Sequence, residues 1–139
     1  MGSLYERLGG INSITAVVEN FRDRVAKDDR INQKFAKTDL ARLTTMLIDQ
    51  VCEAAGGPCK YAGRSMKEAH AGMGVTSGEF DALVQDLVAT LNHFKVGKKE
   101  QDEILDVLGP LKTDIVEVDS SDVGTPLPKM FHPAPALIT

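Results

Sequence analysis

The sequence between residues 56 and 75 reads GGPCKYAGRSMKEAHAGMGV, and glycine recurs along its whole length. Within it, only Ser65 to Met73 could form a short helix. A run of about twenty residues of mostly irregular chain inside a compact domain usually marks a functional loop or an embedded ligand. His70 lies in this stretch, and we therefore look for the chemistry of the protein around it.

Outside this stretch, apolar residues recur at steps of three and four, the spacing of one face of an α-helix. The stretches with this pattern are residues 11–25, 40–51, 80–94 and 104–116. No stretch alternates apolar and polar residues between hairpin turns, so strands are not predicted. The sequence therefore predicts an all-α fold.

Capping residues and breakers indicate where the helices begin and bend. Ser3 with Glu6, and Thr76 with Glu79, have the spacing of capping boxes. Gly109-Pro110 falls inside the last apolar pattern, where a proline costs about 3 kcal/mol unless the helix bends around it. We expect a kink at that point.

Length and composition limit the class of protein. The 139 residues suit one domain, and 42% hydrophobic residues argue against global disorder. A net charge of -4 with mixed signs gives no basic face for nucleic acid or an anionic membrane. No apolar run approaches the roughly 18–20 residues of a membrane span, and the start of the chain lacks the features of a signal peptide. The expected compartment is the cytoplasm.

The prolines divide the chain into two parts. Four of the six prolines lie in the last 14 residues, where alternate residues lack an amide donor and a helix cannot form. We predict a folded domain over residues 1–118 and a Pro-rich tail, extended or disordered, over residues 119–139.

Neither the two cysteines nor a known catalytic motif indicates a function for this sequence. Cys52 and Cys59 lack the partners of a zinc site, and we expect two reduced thiols, with a disulfide as the alternative. The sequence contains neither GxSxG nor GxxxxGK[ST]. A hydrolase or a nucleotide-binding enzyme is therefore not predicted.

The residues around His70 are of the types that a flat apolar cofactor needs. Such a cofactor takes one imidazole donor, polarisable side chains against its faces, and cations near its carboxylates. Lys60, Tyr61, Arg64, Met66 and His70 supply these types in order. The bulk of a haem would also explain why a domain of this size has only five Phe, two Tyr and no Trp.

Several motifs resemble those of the group I truncated haemoglobins. The most specific is Gly56-Gly57 followed by Lys60-Tyr61-x-Gly63-Arg64-x-Met66-x-x-x-His70. The other matches are Leu4-Tyr5-Glu6-Arg7-Leu8-Gly9-Gly10, Phe21-x-x-Arg24-Val25, Asp28-Asp29-Arg30-Ile31, Phe35-Ala36 and Thr38-Asp39-Leu40. The resemblance covers about residues 3–117 and leaves out the tail.

The resemblance implies a truncated globin-like two-over-two helical sandwich around one haem b. Its main helices would lie near residues 12–27, 40–55, 79–94 and 99–117. His70 would be the proximal iron ligand, with the sixth position open to oxygen, nitric oxide or carbon monoxide. The residues implied to contact haem are Phe35 on its face, Lys60, Tyr61 and Arg64 near the propionates, and Met66, Val75 and Phe80 on the proximal wall.

The distal side, where a gas binds, departs from the family pattern. Many members carry a ligand-binding tyrosine where this chain has Arg22, and a polar residue where it has Leu43. Some ligate iron through a histidine at the position of Met46, which Leu47 follows. The usual distal hydrogen bonds are therefore largely missing, which weakens the expectation of strong oxygen retention.

Three distal residues keep alternative roles. Arg22 could extend to the rim and pair with a propionate or solvent, or point inward and donate to a bound ligand or anion. Met46 could fill the core or ligate iron. Gln50, one turn beyond Met46, is a second potential donor.

The predicted function is a haem protein that binds diatomic gases, with nitric oxide detoxification as a further activity that needs an unidentified reductase. The alternative is a six-coordinate haem protein for electron transfer or redox and gas sensing, with Met46 as distal ligand. A third hypothesis is a cofactor-free helical module whose Pro-rich tail binds a partner. Neither nucleic acid nor a membrane is an expected partner, and the sequence leaves the oligomeric state open.

Overall fold

The computed structural model describes residues 3–35, 40–61, 70 and 72–125. The helices of these ranges are α1 (Leu4–Arg7), α2 (Gly10–Lys27), α3 (Leu40–Ala54), α4 (Ser77–His93), α5 (Lys98–Leu108) and α6 (Lys112–Ile115). Short 3₁₀ turns occupy Asn32–Phe35 and Gly109–Leu111. The described ranges contain no strand beyond an isolated bridge between Thr76 and Val118, and the all-α prediction is confirmed.

The predicted helix boundaries are mostly reproduced. Ser3 and Thr76 accept hydrogen bonds from the amides of Glu6 and Glu79, which close both predicted capping boxes. The last helical pattern is interrupted at Gly109–Leu111, where α5 gives way to a 3₁₀ turn and then to α6. The helix is thus interrupted at the proline, while Leu108, Gly109, Leu111 and Lys112 keep right-handed helical dihedrals, and the kink expected there stays a prediction.

Helix α2 is the centre of the packing. It contacts α3 on one side and α4 on another, while α1 contacts α5 and α4 contacts α6. Ile14, Val18 and Cys52 form one buried cluster between α2 and α3. A second cluster contains Val25, Ile31 and Ala82. Because the apolar stripe of α2 packs against both α3 and α4, the burial of these side chains favours folding.

Two glycines end α3 and bring the chain back against α1. Gly56 has a φ of 85°, a conformation that favours glycine, and it terminates the helix. At Gly57, a Cβ atom would overlap the Tyr5 ring and Cys52 Sγ. The double glycine therefore permits a close approach that no other residue allows.

The turn after α3 also joins the two cysteines. Cys52 and Cys59 form a disulfide, with Cα atoms 5.7 Å apart, so the expectation of two reduced thiols is wrong. The sequence did not show this because their seven-residue separation does not reveal that the Gly56-Gly57 turn brings the Cα atoms within bonding range. The disulfide ties the end of α3 to the stretch that leads to His70.

The chain beyond the last helix lies against the start of α4. The amides of Ser77 and Gly78 donate to the carbonyl oxygens of Val118 and Ser120. A Cβ atom at Gly78 would lie 2.5 Å from Ser121 O, so glycine is required for this contact. The first residues of the predicted tail are thus hydrogen-bonded to the domain, whereas residues 126–139 lie outside the described part.

Candidate functional site

A cavity of about 700 Å³ opens between α2, α3, α4, α5 and the segment of His70. Cofactor sites typically measure about 300–1,000 Å³ and are lined mainly by apolar side chains with a few polar groups. The lining here is of that kind. Its apolar members include Phe21, Phe35, Leu43, Met46, Leu47, Phe80, Leu83, Leu87 and Ile104.

Of the histidines that the structure describes, His70 lines the cavity and His93 does not. The residues that follow His70 are held by a carboxylate from beyond α6. Glu117 accepts from Gly72 N at 2.9 Å and from Gly74 N at 2.7 Å. The His70 carbonyl also accepts from Met73 N at 3.1 Å. These bonds fix the backbone next to the imidazole.

A buried lysine contacts the same segment from the 3₁₀ turn before α3. Lys34 is 4% exposed and donates from Nζ to Met73 O at 2.9 Å. Its ammonium lies 3.7 Å from Glu79, which is 1% exposed. Desolvation lowers the pKa of Lys34, although the Glu79 charge opposes this. No local pattern in the sequence predicts these long-range contacts, because Glu79 stands out there only by its spacing in a capping box.

Most of the predicted cofactor residues that the structure describes come together on the cavity wall. Phe35, Leu43, Met46, Leu47, Tyr61 and Phe80 all line it. The helical spacing of Leu43, Met46 and Leu47 puts them on the same face of α3. Burial raises the pKa of Tyr61, so its phenol stays protonated at neutral pH.

Other predicted residues are not brought to the cavity. Lys60 is exposed, with Nζ 3.9 Å from a Glu53 carboxylate oxygen, because it extends from the outside of the turn after α3. Val75 is buried against Met73 and Ile115 rather than on the cavity wall. Arg64 and Met66 lie outside the described residues.

The Arg22 side chain extends from α2 and forms part of the cavity wall. Its Nη1 donates to Thr44 Oγ1 on α3 at 3.3 Å, and its Nε and Nη2 donate to Asp23 Oδ1 at 3.1 and 3.0 Å. Gln50 also lines the cavity. The buried Thr44 was not among the residues singled out from the sequence, because a threonine inside a helix carries no distinctive signal.

A second titratable cluster joins the end of α2 to α4, away from the cavity wall. Hydrogen bonds from Arg30 lower the pKa of Asp28 to about 2. Desolvation, followed by the nearby Asp28 carboxylate, raises the pKa of Asp86 to about 7. Asp86 Oδ2 is buried without a hydrogen-bond partner among the described residues, which agrees with a carboxyl that holds its proton.

The cavity fits haem in volume, polarity and donor set. Within the described ranges, no group of three His, Cys, Asp or Glu side chains could hold a bare metal ion. A single imidazole beside apolar and aromatic side chains instead suits a metal already held in a macrocycle. Across the same ranges, no helix is long and apolar enough to cross a membrane.

Comparison with known proteins agrees with this fit. The family model described as bacterial-like globin matches residues 3–117. Group 1 truncated hemoglobin of Tetrahymena pyriformis is 34% identical over 114 residues, which cover 82% of this chain and 94% of that protein. The group 1 truncated hemoglobin GlbN of Synechocystis is 38% identical over 113 residues, covering 78% and 91%.

Solved structures give the same result. The Fe(III) form of the Tetrahymena pyriformis truncated hemoglobin has a TM-score of 0.79 at 34% identity and covers 83% of this chain and 98% of its own. A Synechococcus 2/2 hemoglobin with covalently attached heme has a TM-score of 0.79 at 35% identity, with the same coverage.

The chain therefore belongs to the bacterial-like globin family. It has the two-over-two helical globin fold, and it is a haem-binding, gas-binding globin whose expected cofactor is haem. This assignment favours a haem protein over the cofactor-free interaction module.

Proposed function

We propose that the protein binds oxygen, nitric oxide and carbon monoxide at the iron of haem b, with His70 as the proximal ligand. The observation that carries the proposal is the imidazole of His70 on the wall of an otherwise largely apolar cavity. Haem supplies an iron that takes a diatomic gas at an open coordination position and exchanges electrons with a reductase. The protein supplies the ligand, the cavity and its polarity.

The residues around His70 support a fixed imidazole. Glu117 holds the amides of Gly72 and Gly74, and Lys34 holds the carbonyl of Met73. These bonds limit movement of the backbone just beyond His70. A ligand held in this way loses little conformational freedom when it binds iron.

The remaining wall residues exclude water and hold the edges of the cofactor. Phe35, Leu43, Met46, Leu47 and Phe80 offer apolar or polarisable surface to the faces of haem. The resemblance implies further roles: Tyr61, which lines the cavity, and Arg64 serve the propionates, and Met66 extends the proximal wall. It implies similar roles for Lys60 and Val75, but Lys60 is exposed beside Glu53 and Val75 packs against Met73 and Ile115, so neither lines the cavity.

The absorption spectrum tests this proposal. We expect the purified ferrous protein to show a Soret band that shifts when carbon monoxide or nitric oxide is added. The His70→Ala variant should lose the five-coordinate ferrous spectrum, while His93→Ala, which changes a histidine outside the cavity wall, should retain it. A missing Soret band, or a spectrum that His70→Ala leaves unchanged, would contradict the proposal.

Nitric oxide detoxification is the activity we propose for the gas-binding site. Nitric oxide, oxygen and one electron give nitrate, and an unidentified reductase supplies the electron. The largely apolar wall supports this proposal because nitric oxide and oxygen are small, uncharged molecules that such a wall suits. We expect oxygenated protein to convert nitric oxide to nitrate with equal stoichiometry. A reaction that yields no nitrate would remove this activity and leave gas binding intact.

The alternative function is a six-coordinate haem protein for electron transfer or sensing. The observation that favours it is Met46, whose thioether lines the cavity from α3. A His70 and Met46 pair would raise the reduction potential. If the ferrous protein is six-coordinate and Met46→Leu makes it five-coordinate, this alternative replaces the first proposal.

For the compartment we propose the cytoplasm. The Cys52–Cys59 disulfide argues against it, because such bonds rarely persist in a reducing cytosol. Alkylation of thiols in intact cells decides the question: two reactive cysteines support the cytoplasm, whereas a protected pair supports an oxidising compartment.

A further inference from the structure

Arg22 differs from the other side chains on the cavity wall. Among the described residues that line it, Arg22 alone carries a permanent charge. The other residues of α2 and α3 that line the cavity are mostly apolar, among them Phe21, Val25, Leu43 and Leu47. A cation next to apolar surface is costly unless an anion or hydrogen-bond acceptors compensate for its lost hydration.

The partners of Arg22 compensate for this charge only in part. The Asp23 carboxylate that it contacts is 61% exposed, and an ion pair open to solvent contributes little. Thr44 is a neutral acceptor. Of the five guanidinium N–H groups, the bonds to Asp23 and Thr44 use three. Two N–H groups remain, and because the Arg22 side chain is 28% exposed, both solvent and an occupant of the cavity can accept from them.

Thr44, the neighbour of Arg22 on α3, has no proton to offer an occupant of the cavity. Its hydroxyl donates to Leu40 O at 2.7 Å and accepts from Arg22. The hydroxyl proton is therefore committed to the α3 backbone, and Thr44 has none to offer a ligand. Arg22 supplies the charge and the N–H donors on this part of the wall, and both favour an anion.

We propose that Arg22 makes the cavity selective for small inorganic anions, such as fluoride, azide or nitrite, as ligands of ferric haem. This inference rests on the proposed function, since it requires haem with an open coordination position. Charge-assisted hydrogen bonds from a guanidinium stabilise an anion but add nothing comparable for a neutral ligand. A haem propionate offers the same chemistry to Arg22, and the experiment separates the two sources.

The test compares fluoride, an anion, with imidazole, a neutral ligand at a pH above its pKa, by titration of the ferric haem protein. In Arg22→Gln we expect the fluoride dissociation constant to rise about tenfold or more, with imidazole binding changed less than about twofold. Arg24→Gln is the matched control: it removes the same charge from α2, but Arg24 bonds Asn20 and does not line the cavity.

Asp23→Asn tests the same inference in the opposite direction. It removes the negative charge beside the guanidinium, so we expect fluoride to bind a few times more tightly while imidazole binding stays the same. Asp23→Asn therefore tests the inference even if Arg22→Gln fails to fold. Arg22→Lys keeps the charge, so its fluoride dissociation constant should stay closer to that of the wild type than the constant of Arg22→Gln does.

The results that overturn the inference are distinct from those that overturn the proposed function. If Arg22→Gln weakens the binding of fluoride and of imidazole equally, the substitution has changed the cavity in general. If it leaves fluoride binding unchanged but speeds the loss of haem, the partner of Arg22 is a haem propionate. Either result overturns the anion selectivity alone. A wild-type spectrum that responds to neither ligand means that iron has no open position, which overturns both.

Discussion

At the residue scale, Asp86 is the group whose ionisation opposes folding. Its carboxyl lies near Asp28, where α4 packs against the end of α2, and its side chain is 14% exposed. Because its pKa rises to about 7 in the folded protein, the folded state keeps a proton that the unfolded chain loses near pH 4. Folding shifts the pKa of Asp28 in the opposite direction, down to about 2. The stability that Asp28 contributes is therefore present above about pH 4 and is lost below it.

We predict that the free energy of unfolding falls as the pH rises from 5 to 7.5, because the unfolded chain has already released the Asp86 proton, whereas the folded state retains it until the pH reaches its pKa of about 7. Asp86→Asn should remove most of this decline and be about 1–3 kcal/mol more stable than wild type at pH 8. Urea denaturation at a series of pH values measures both.

The control for this prediction is Asp81→Asn on the same helix, whose exposed carboxylate lies 3.2 Å from Lys112 Nζ. In Asp81→Asn, the free energy of unfolding should fall between pH 5 and 7.5 as it does in the wild type. A wild-type free energy of unfolding that stays level or rises over this range would refute the assignment of a protonated Asp86.

At the scale of elements, the disulfide links α3 to the chain that leads to His70. Cys52 is fully buried in the cluster of Ile14 and Val18, and Cys59 packs at its edge. Closing a loop across a sequence separation of seven residues removes conformations from the unfolded chain, which stabilises the fold by about 2 kcal/mol in the chain-entropy account. The bond therefore stabilises the packing of α3 against α2.

We predict that Cys59→Ser lowers the free energy of unfolding by about 2 kcal/mol. Dithiothreitol should destabilise the wild type by a similar amount and leave the variant unaffected, which denaturation with and without the reductant measures. A wild type that is indifferent to the reductant would show that the disulfide contributes no stability.

At the scale of the whole molecule, the chain after α6 completes the domain. Thr125 donates from N and Oγ1 to Glu79 Oε2 at 2.7 and 2.8 Å, and Thr76 Oγ1 donates to Asp122 O. The carboxylate of Glu79 is thereby bonded to the chain that follows α6. Without Thr125, a buried carboxylate would lose two of its donors.

We predict that a chain ending at residue 117 is less stable than the full chain by about 2 kcal/mol or more, because Glu79 then lacks its partners. A chain ending at residue 125 should match the full chain within about 0.5 kcal/mol. Thermal and urea denaturation of both truncations check this. Equal stability of all three chains would place the domain boundary at residue 118, as the sequence predicted.

The helices and the cavity wall could be predicted from the sequence because they depend on local spacing. Apolar steps of three and four give α2, α3 and α4, and the motif around His70 identifies the candidate ligand. Contacts between distant residues could not be predicted. Lys34 with Met73, and Glu117 with Gly72, join positions 39 and 45 residues apart, and no local pattern encodes such a pairing.

The most direct test of the account is the bond between His70 and haem iron. Resonance Raman spectroscopy of the ferrous, gas-free protein should show an iron–histidine stretching band. We predict that His70→Gly abolishes this band and that added imidazole restores a five-coordinate ferrous spectrum by occupying the vacated space. A band that persists in His70→Gly, without imidazole, would contradict the claim that His70 holds the iron.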